Sequence, residues 1–256
     1  MILRLARLAS LPVAFVLWEI ATRRADDPFF PPPTEILARM HKDWFSGPAS
    51  HLFLTGQATG NIFPSLARLL TGWAIACVLG VAVGLLAGRS PRVADHLAPL
   101  IHLFRAIPPP ALAPVFLAAF KIGTEMQVAT IVFGVVWPVL LNSVEGARDI
   151  DPLKLETARA FRLSRRARIL RVLLPAAAPK IFAGLRLSLS TALILMVISE
   201  LVGSVNGIGY LQMLAQSTTD IPGVWTCIVL LGALGLVLNA TFLTLERHLL
   251  TWRGQG

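Results

Sequence analysis

The side chains in this chain best suited to chemistry are the ionic ones between Asp151 and Pro179. Glu156, Arg159, Arg162, Arg165, Arg166, Arg168 and Arg171 stand close together in a helix-forming block flanked by long apolar segments. Their chemistry is charge-assisted recognition: a cluster of guanidiniums with one carboxylate grips a partner in the water phase. The other reading is a basic interfacial helix drawn to anionic lipid. Two more ionisable groups fall inside apolar stretches, where charge is expensive and marks a functional candidate. Arg105 lies one turn before Pro108, Pro109, Pro110 and Pro114, and either attracts an anionic solute or snorkels to an interface. Glu200 lies near the end of a later stretch, where it gates a path or pairs across a subunit contact. Asn142 and Ser143 have the character of helix-helix hydrogen bonders.

Catalytic patterns are missing. His41, His51, His96, His102 and His248 are scattered without a His-Glu-x-x-His arrangement, and neither Gly-x-Ser-x-Gly nor the phosphate-binding Gly-x-x-x-x-Gly-Lys-Ser/Thr occurs. No catalytic residue or metal ligand is therefore assigned. Cys77 and Cys227 lie in apolar segments, unlike a disulfide pair or a metal cluster. Asn206-Gly-Ile-Gly209 has no preceding strand and is read as a turn.

The elements that must position these groups are membrane helices. Of 256 residues 55% are hydrophobic and 14% charged, with a mean hydropathy of +0.69, which places the chain among integral membrane proteins. Against the roughly 20 apolar residues that a helix needs to cross a bilayer, six spans are expected, near 5–21, 66–88, 98–120, 126–144, 181–203 and 224–244. The fold class is all-α, with 1–60 holding the first span and an outer segment. Residues 61–250 hold the rest, including a charged loop at about 148–179. The net charge of +9 sits mainly at the ends of apolar runs, unlike a nucleic-acid groove. With the start placed inside, sixteen Lys and Arg fall inside and six outside, with Arg68 among the six and Arg105 within a span. That bias puts both termini and the basic loop in the cytoplasm.

In the outer segment Thr34 is read as the cap of a short amphipathic helix whose Ile36, Leu37, Met40 and Trp44 share a face. This is either part of an external docking surface or an interfacial anchor. Gly80, Gly84 and Gly88 line one face of the second span and let another helix approach closely. The prolines of the third span, and Trp137-Pro138 in the fourth, break the backbone. Such breaks are tolerated at membrane depth only where they are buried in protein or line a cavity. Arg105, Pro108, Pro109, Pro114, Trp137, Asn142 and Glu200 are therefore the candidates for a translocation path.

Within the basic block, Asp151-Pro152 reads as an N-cap with proline at the first helical position. Ser164 reads as the cap of a second helix, which Pro175 and Pro179 are expected to end. Here the chain resembles the permease subunits of bacterial ABC importers. Their cytoplasmic signature opens Glu-Ala-Ala, matched by Glu156-Thr-Ala158, continues to a glycine whose place Arg162 takes, and closes in Leu-Pro, matched by Leu174-Pro175. Arg at a glycine position adopts a positive φ reluctantly, so either the turn there is shaped differently or the partner surface is altered. Phe120-Lys-Ile-Gly123, Trp137-Pro138-Val-Leu-Leu-Asn142, Ser199-Glu200-Leu-Val-Gly203 and Gly207-Ile-Gly209-Tyr210 are similar to the branch importing sulfonates, taurine, nitrate or thiamine-precursor pyrimidines.

The resemblance implies the type I ABC importer permease fold and a bacterial inner-membrane location. It also implies a second permease copy, an external solute-binding protein, and separate cytoplasmic ATPases that bind ATP, leaving no cofactor in this chain. It makes Leu155, Glu156, Ala158, Arg159, Phe161, Arg162, Ser164 and Arg165 the ATPase-coupling residues. An ion-coupled secondary transporter is the rival class, but Glu19, Glu145 and Glu200 all fall near span ends and no internal repeat is evident.

Overall fold

The structure, a computed structural model, describes residues 2–250, with side chains from Pro12 onward. Among the described residues every regular element is helical. They run α1 Ile2–Ala25, α2 Pro33–Trp44, a short 3-10 turn, α3 Gly56–Arg89, α4 Pro91–Ala106, α5 Pro109–Phe120 and α6 Thr124–Arg148. There follow α7 Pro152–Ala160, α8 Arg165–Arg168, a π turn at Ile169–Leu173, α9 Leu174–Val202, α10 Ile208–Ser217 and α11 Ile221–Leu249. Four continuous stretches are long and apolar enough to cross a bilayer: the ones ending in α3 and in α9, and α6 and α11. The expected third span is not one helix. Its halves α4 and α5 meet at 93° across Ile107 and Pro108, and counted together they make a fifth crossing. The first expected span falls in α1, where the side chains of 2–11 lie outside the described residues.

Two compact units emerge. One comprises the residues through Ser65 with Asn206–Ala233, the other Leu66–Val205 with the segment from Leu234 on. In the first unit Ile36 and Trp44 of α2 are buried, each 1% exposed, while Leu37 on the same apolar face is 48% exposed. Thr34 is not the cap of α2: Pro32 holds that position, and the Thr34 N–H donates instead to Glu19 at 3.0 Å, so a carboxylate of α1 serves the helix N-terminus. Arg39 then reaches Asp43 at 2.7 Å and Asp220 at 2.9 Å. The Asp43 bond, with the charges of Asp43 and Asp220, raises the Arg39 pKa against its partial burial. Trp225 donates to the Phe29 carbonyl at 3.0 Å and packs on Trp18. In the Asn206-Gly-Ile-Gly209 segment only Asn206 and Gly207 form a turn, and Ile208 and Gly209 already open α10. Gly207 has φ 121°, and the N–H groups of Gly207 and Ile208 donate to Asn61 and Ser65.

In the second unit α6 is the central helix. A Cβ added at Gly80, Gly84 or Gly88 would fall within 2.8 Å of Val139, Ser143 or Ala147 respectively, so α3 and α6 run parallel in near backbone contact. On another face, Gly134 lies against Leu195, Gly184 against Asn142 and Gly146 against Ala177, an order that makes α9 antiparallel to α6. The glycine stripe is internal packing. Leu85, Ala147, Ala177 and Ile181 close a buried cluster where α3 and α6 end and α9 begins.

Candidate coupling and translocation site

The basic block is built from strong local signals. Asp151 accepts from the Leu153 N–H at 2.9 Å and starts α7, and Ser164 accepts from the Ala167 N–H at 3.2 Å and starts α8. Between them the Leu163 N–H reaches the Ala158 carbonyl at 3.1 Å and the Arg162 N–H reaches the Arg159 carbonyl at 2.8 Å. This is the Schellman pattern of helix termination, whose left-handed residue is usually glycine. Arg162 takes that place with φ 51°. The turn therefore keeps the geometry a glycine would have, and the strain expected of arginine is borne in the backbone rather than relieved by a new turn shape.

The second expectation for the block needs correcting. Pro175 and Pro179 do not end the helix that Ser164 begins: α8, the π turn and α9 form one helical stretch from Arg165 to Val202. Pro175 has no N–H for the carbonyl one turn back. The register widens just upstream, where the Leu174 N–H bonds Ile169, and this lets the helix continue through the proline. The block is thus continuous with a membrane-length helix.

Across α7, the turn after it and the start of α8 the eight coupling candidates separate by burial. Ala158 is buried and Leu155 half-buried, while Glu156, Arg159, Phe161, Arg162, Ser164 and Arg165 are exposed. Ala158 is packing, and Ser164 spends its oxygen on the cap. Phe161 is 76% exposed and Leu153, which sequence reasoning did not single out, is 65% exposed. Leu153 stands in the first turn of α7 and Phe161 at its C-cap, so an exposed apolar side chain marks each end of the helix.

The path candidates do not form one group. Pro108 caps α5, Pro109 packs on Gly134 of α6, and Pro114 sits inside α5. Trp137 stands in an aromatic cluster, stacked on Phe104 at 6.3 Å and edge-on to Phe133 at 5.8 Å, with Phe116 beyond. Its indole N–H is buried without a hydrogen-bond partner. Asn142 packs against Gly184 of α9, but its amide donates to the Pro138 carbonyl of its own helix at 2.8 Å, a local hydrogen bond rather than one between helices. Arg105 is exposed at the end of α4.

Glu200 is fully buried and meets Arg68 of α3 at 2.8 Å, and Arg68 also reaches Ser204 at 3.4 Å. Glu200 therefore pairs within the chain, and Arg68, counted above with the outer loops, is a buried residue of a helix. Gln127 completes this end of the unit by donating to the Gly203 carbonyl at 3.0 Å. Sequence reasoning missed Arg68, Gln127 and the three phenylalanines. An arginine four positions into an apolar pattern was the available signal for the first.

Comparison with known proteins agrees with this architecture. The family described as the binding-protein-dependent transport system inner membrane component matches residues 80–251. The Bacillus subtilis protein SsuC, whose name assigns it to aliphatic sulfonates transport as a permease, is 34% identical over 202 residues, covering 79% of this chain and 73% of its own. The nitrate import permease protein NrtB of Synechocystis is 30% identical, covering 93% and 86%. The taurine transport system permease protein TauC of Escherichia coli is 28% identical, covering 94% and 86%. Among solved structures, a chain of the MetNI methionine ABC transporter superposes with a TM-score of 0.64 at 18% identity, covering 73% of this chain and 94% of that one, which is a likeness of fold. Permeases of this kind work with an ATPase and a solute-binding protein, and on the family match and its relatives this chain belongs to the integral membrane permease components of ABC importers.

Proposed function

We propose that α7 and its Schellman turn are the coupling helix, seated on a separate cytoplasmic ATPase that binds the ATP. The observation that carries this reading is the pair of bare apolar side chains, Leu153 and Phe161, on a short helix capped at both ends. Exposed aromatic anchors ringed by charge are what a protein partner buries. Glu156, Arg159, Arg162 and Arg165 form that ring and pair with polar groups of the ATPase. Closure of two ATPases carries the knob, and the unbroken helix to Val202 passes the motion to the membrane. Residues 61–250 form the permease unit, two copies of which make the pore. Crossings by α1, α3, the bent α4–α5 pair, α6, α9 and α11 give six spans in a bacterial inner membrane. Both termini are then cytoplasmic; removing Arg68 from the outer count strengthens the charge bias.

The solute is a small oxyanion. The relatives named for aliphatic sulfonates, taurine, nitrate and bicarbonate support this class. So does the buried, unpartnered N–H of Trp137 among aromatic rings, a donor suited to a passing oxygen. Glu200 is held in an ion pair and has no part as a proton carrier. The experiment is purification of the tagged chain in mild detergent, with mass spectrometry for a co-purifying ATPase, for the native chain and for Leu153→Ala/Phe161→Ala. ATPase should accompany the native chain and be lost from the variant while folding is retained. An undiminished ATPase yield with the variant would overturn the assignment of α7.

A further inference from the structure

A cavity of about 300 Å³ lies on the far side of α7 from Leu153, and four arginines line it: Arg89, Arg159, Arg165 and Arg168. No carboxylate lines it, and none of the four makes an ion pair among the described residues. The Arg168 Nε is buried without a hydrogen-bond partner. Four cations gathered at one concavity repel one another unless an anion is held between them, and a fixed fork of N–H donors matches the oxygens of a phosphate. The rest of the lining is apolar, from Leu155, Ile169 and Leu173.

We propose that this cavity binds the phosphodiester headgroup of an anionic phospholipid. Two observations favour lipid over an acidic protein surface. Arg89 is the last residue of the 34-residue apolar helix α3, which places the cavity at the depth where a membrane helix leaves hydrocarbon. Ile169, on the cavity wall, and Leu170 beside it are about half exposed, an apolar surface for the start of an acyl chain. The site shares Arg159 and Arg165 with the ATPase contact proposed above, while Arg89 and Arg168 belong to the cavity alone, and lipid there would brace the junction of α3, α7 and α8.

The test is native mass spectrometry of the full chain in neutral detergent, titrated with short-chain phosphatidylglycerol, with phosphatidylcholine and with inorganic phosphate. Phosphatidylglycerol should bind at least about tenfold more tightly than phosphatidylcholine. Arg89→Gln/Arg168→Gln should weaken it by about thirtyfold, from roughly a factor of five for each guanidinium. The charge-matched control Arg92→Gln/Arg166→Gln, whose side chains are exposed and outside the cavity, should leave binding within about twofold. Equal loss in the control would reduce the effect to surface charge and overturn the proposal. So would equal affinity for the two lipids, or displacement of phosphatidylglycerol by millimolar inorganic phosphate, which would make the ligand a free anion. Loss of ATPase co-purification with unchanged lipid binding in Arg89→Gln/Arg168→Gln would assign the cavity to the protein partner instead.

Discussion

The buried pair Arg68–Glu200 offers the sharpest prediction. Replacing Glu200 by Leu leaves a guanidinium 6% exposed with its carboxylate gone and the longer 3.4 Å approach to Ser204 retained. Breaking a buried pair from one side costs about 3–5 kcal/mol, because the remaining charge is stranded away from water. For a chain of this length each kcal/mol moves the melting temperature by about 2–4 °C, so the shift expected is about 6–20 °C downward. Arg68→Met, which strands the carboxylate, should fall in the same range. The double variant Arg68→Met/Glu200→Leu removes both charges and fills the site with apolar side chains, so most of the loss should return. The cycle then yields a coupling energy of about 2 kcal/mol or more. Thermal denaturation in a fixed detergent, read by loss of the monodisperse peak on size exclusion, measures all four proteins. If the double variant loses the sum of the two single losses, the pair is not coupled and the argument fails.

Arg162→Gly should raise the melting temperature. A left-handed L-residue costs about 1–2 kcal/mol, and the extra freedom of glycine in the unfolded chain returns about 0.5–1, leaving a net gain of about 0.5–1 kcal/mol; a lower melting temperature would refute the strain. Gly84→Ala places a Cβ 2.5 Å from the Ser143 Cβ and 2.7 Å from the Leu140 carbonyl oxygen. Separating α3 from α6 to relieve this should cost about 1–3 kcal/mol in the same assay. Gly60→Ala, with open space around the added carbon, is its control and should change little. Trp137→Phe keeps the ring contacts and removes the unpartnered N–H; uptake in proteoliposomes should show altered solute discrimination with an unchanged melting temperature, whereas unchanged uptake would remove Trp137 from the path.

Much of this architecture is local and therefore readable from the chain itself. Runs of about 20 apolar residues mark α3, α6, α9 and α11, because crossing hydrocarbon is a requirement on composition and length. Asp151 and Ser164 announce helix starts because a cap bond spans two or three residues. The glycine repeat at 80, 84 and 88 announces a close helix contact, though not its partner α6. Only the tertiary structure decided what depends on groups distant in sequence. Arg68 and Glu200 are 132 positions apart, and nothing near either names the other. The polar partners of α2 are likewise distant in sequence, Glu19 at its start and Asp220 near its middle, and its amphipathic pattern names neither. Pro108 and Pro175 show the same limit at short range. Each removes one N–H, yet one ends in a 93° bend and the other in a helix that continues, because neighbouring helices and a widened register, not the proline, determine where the backbone goes next.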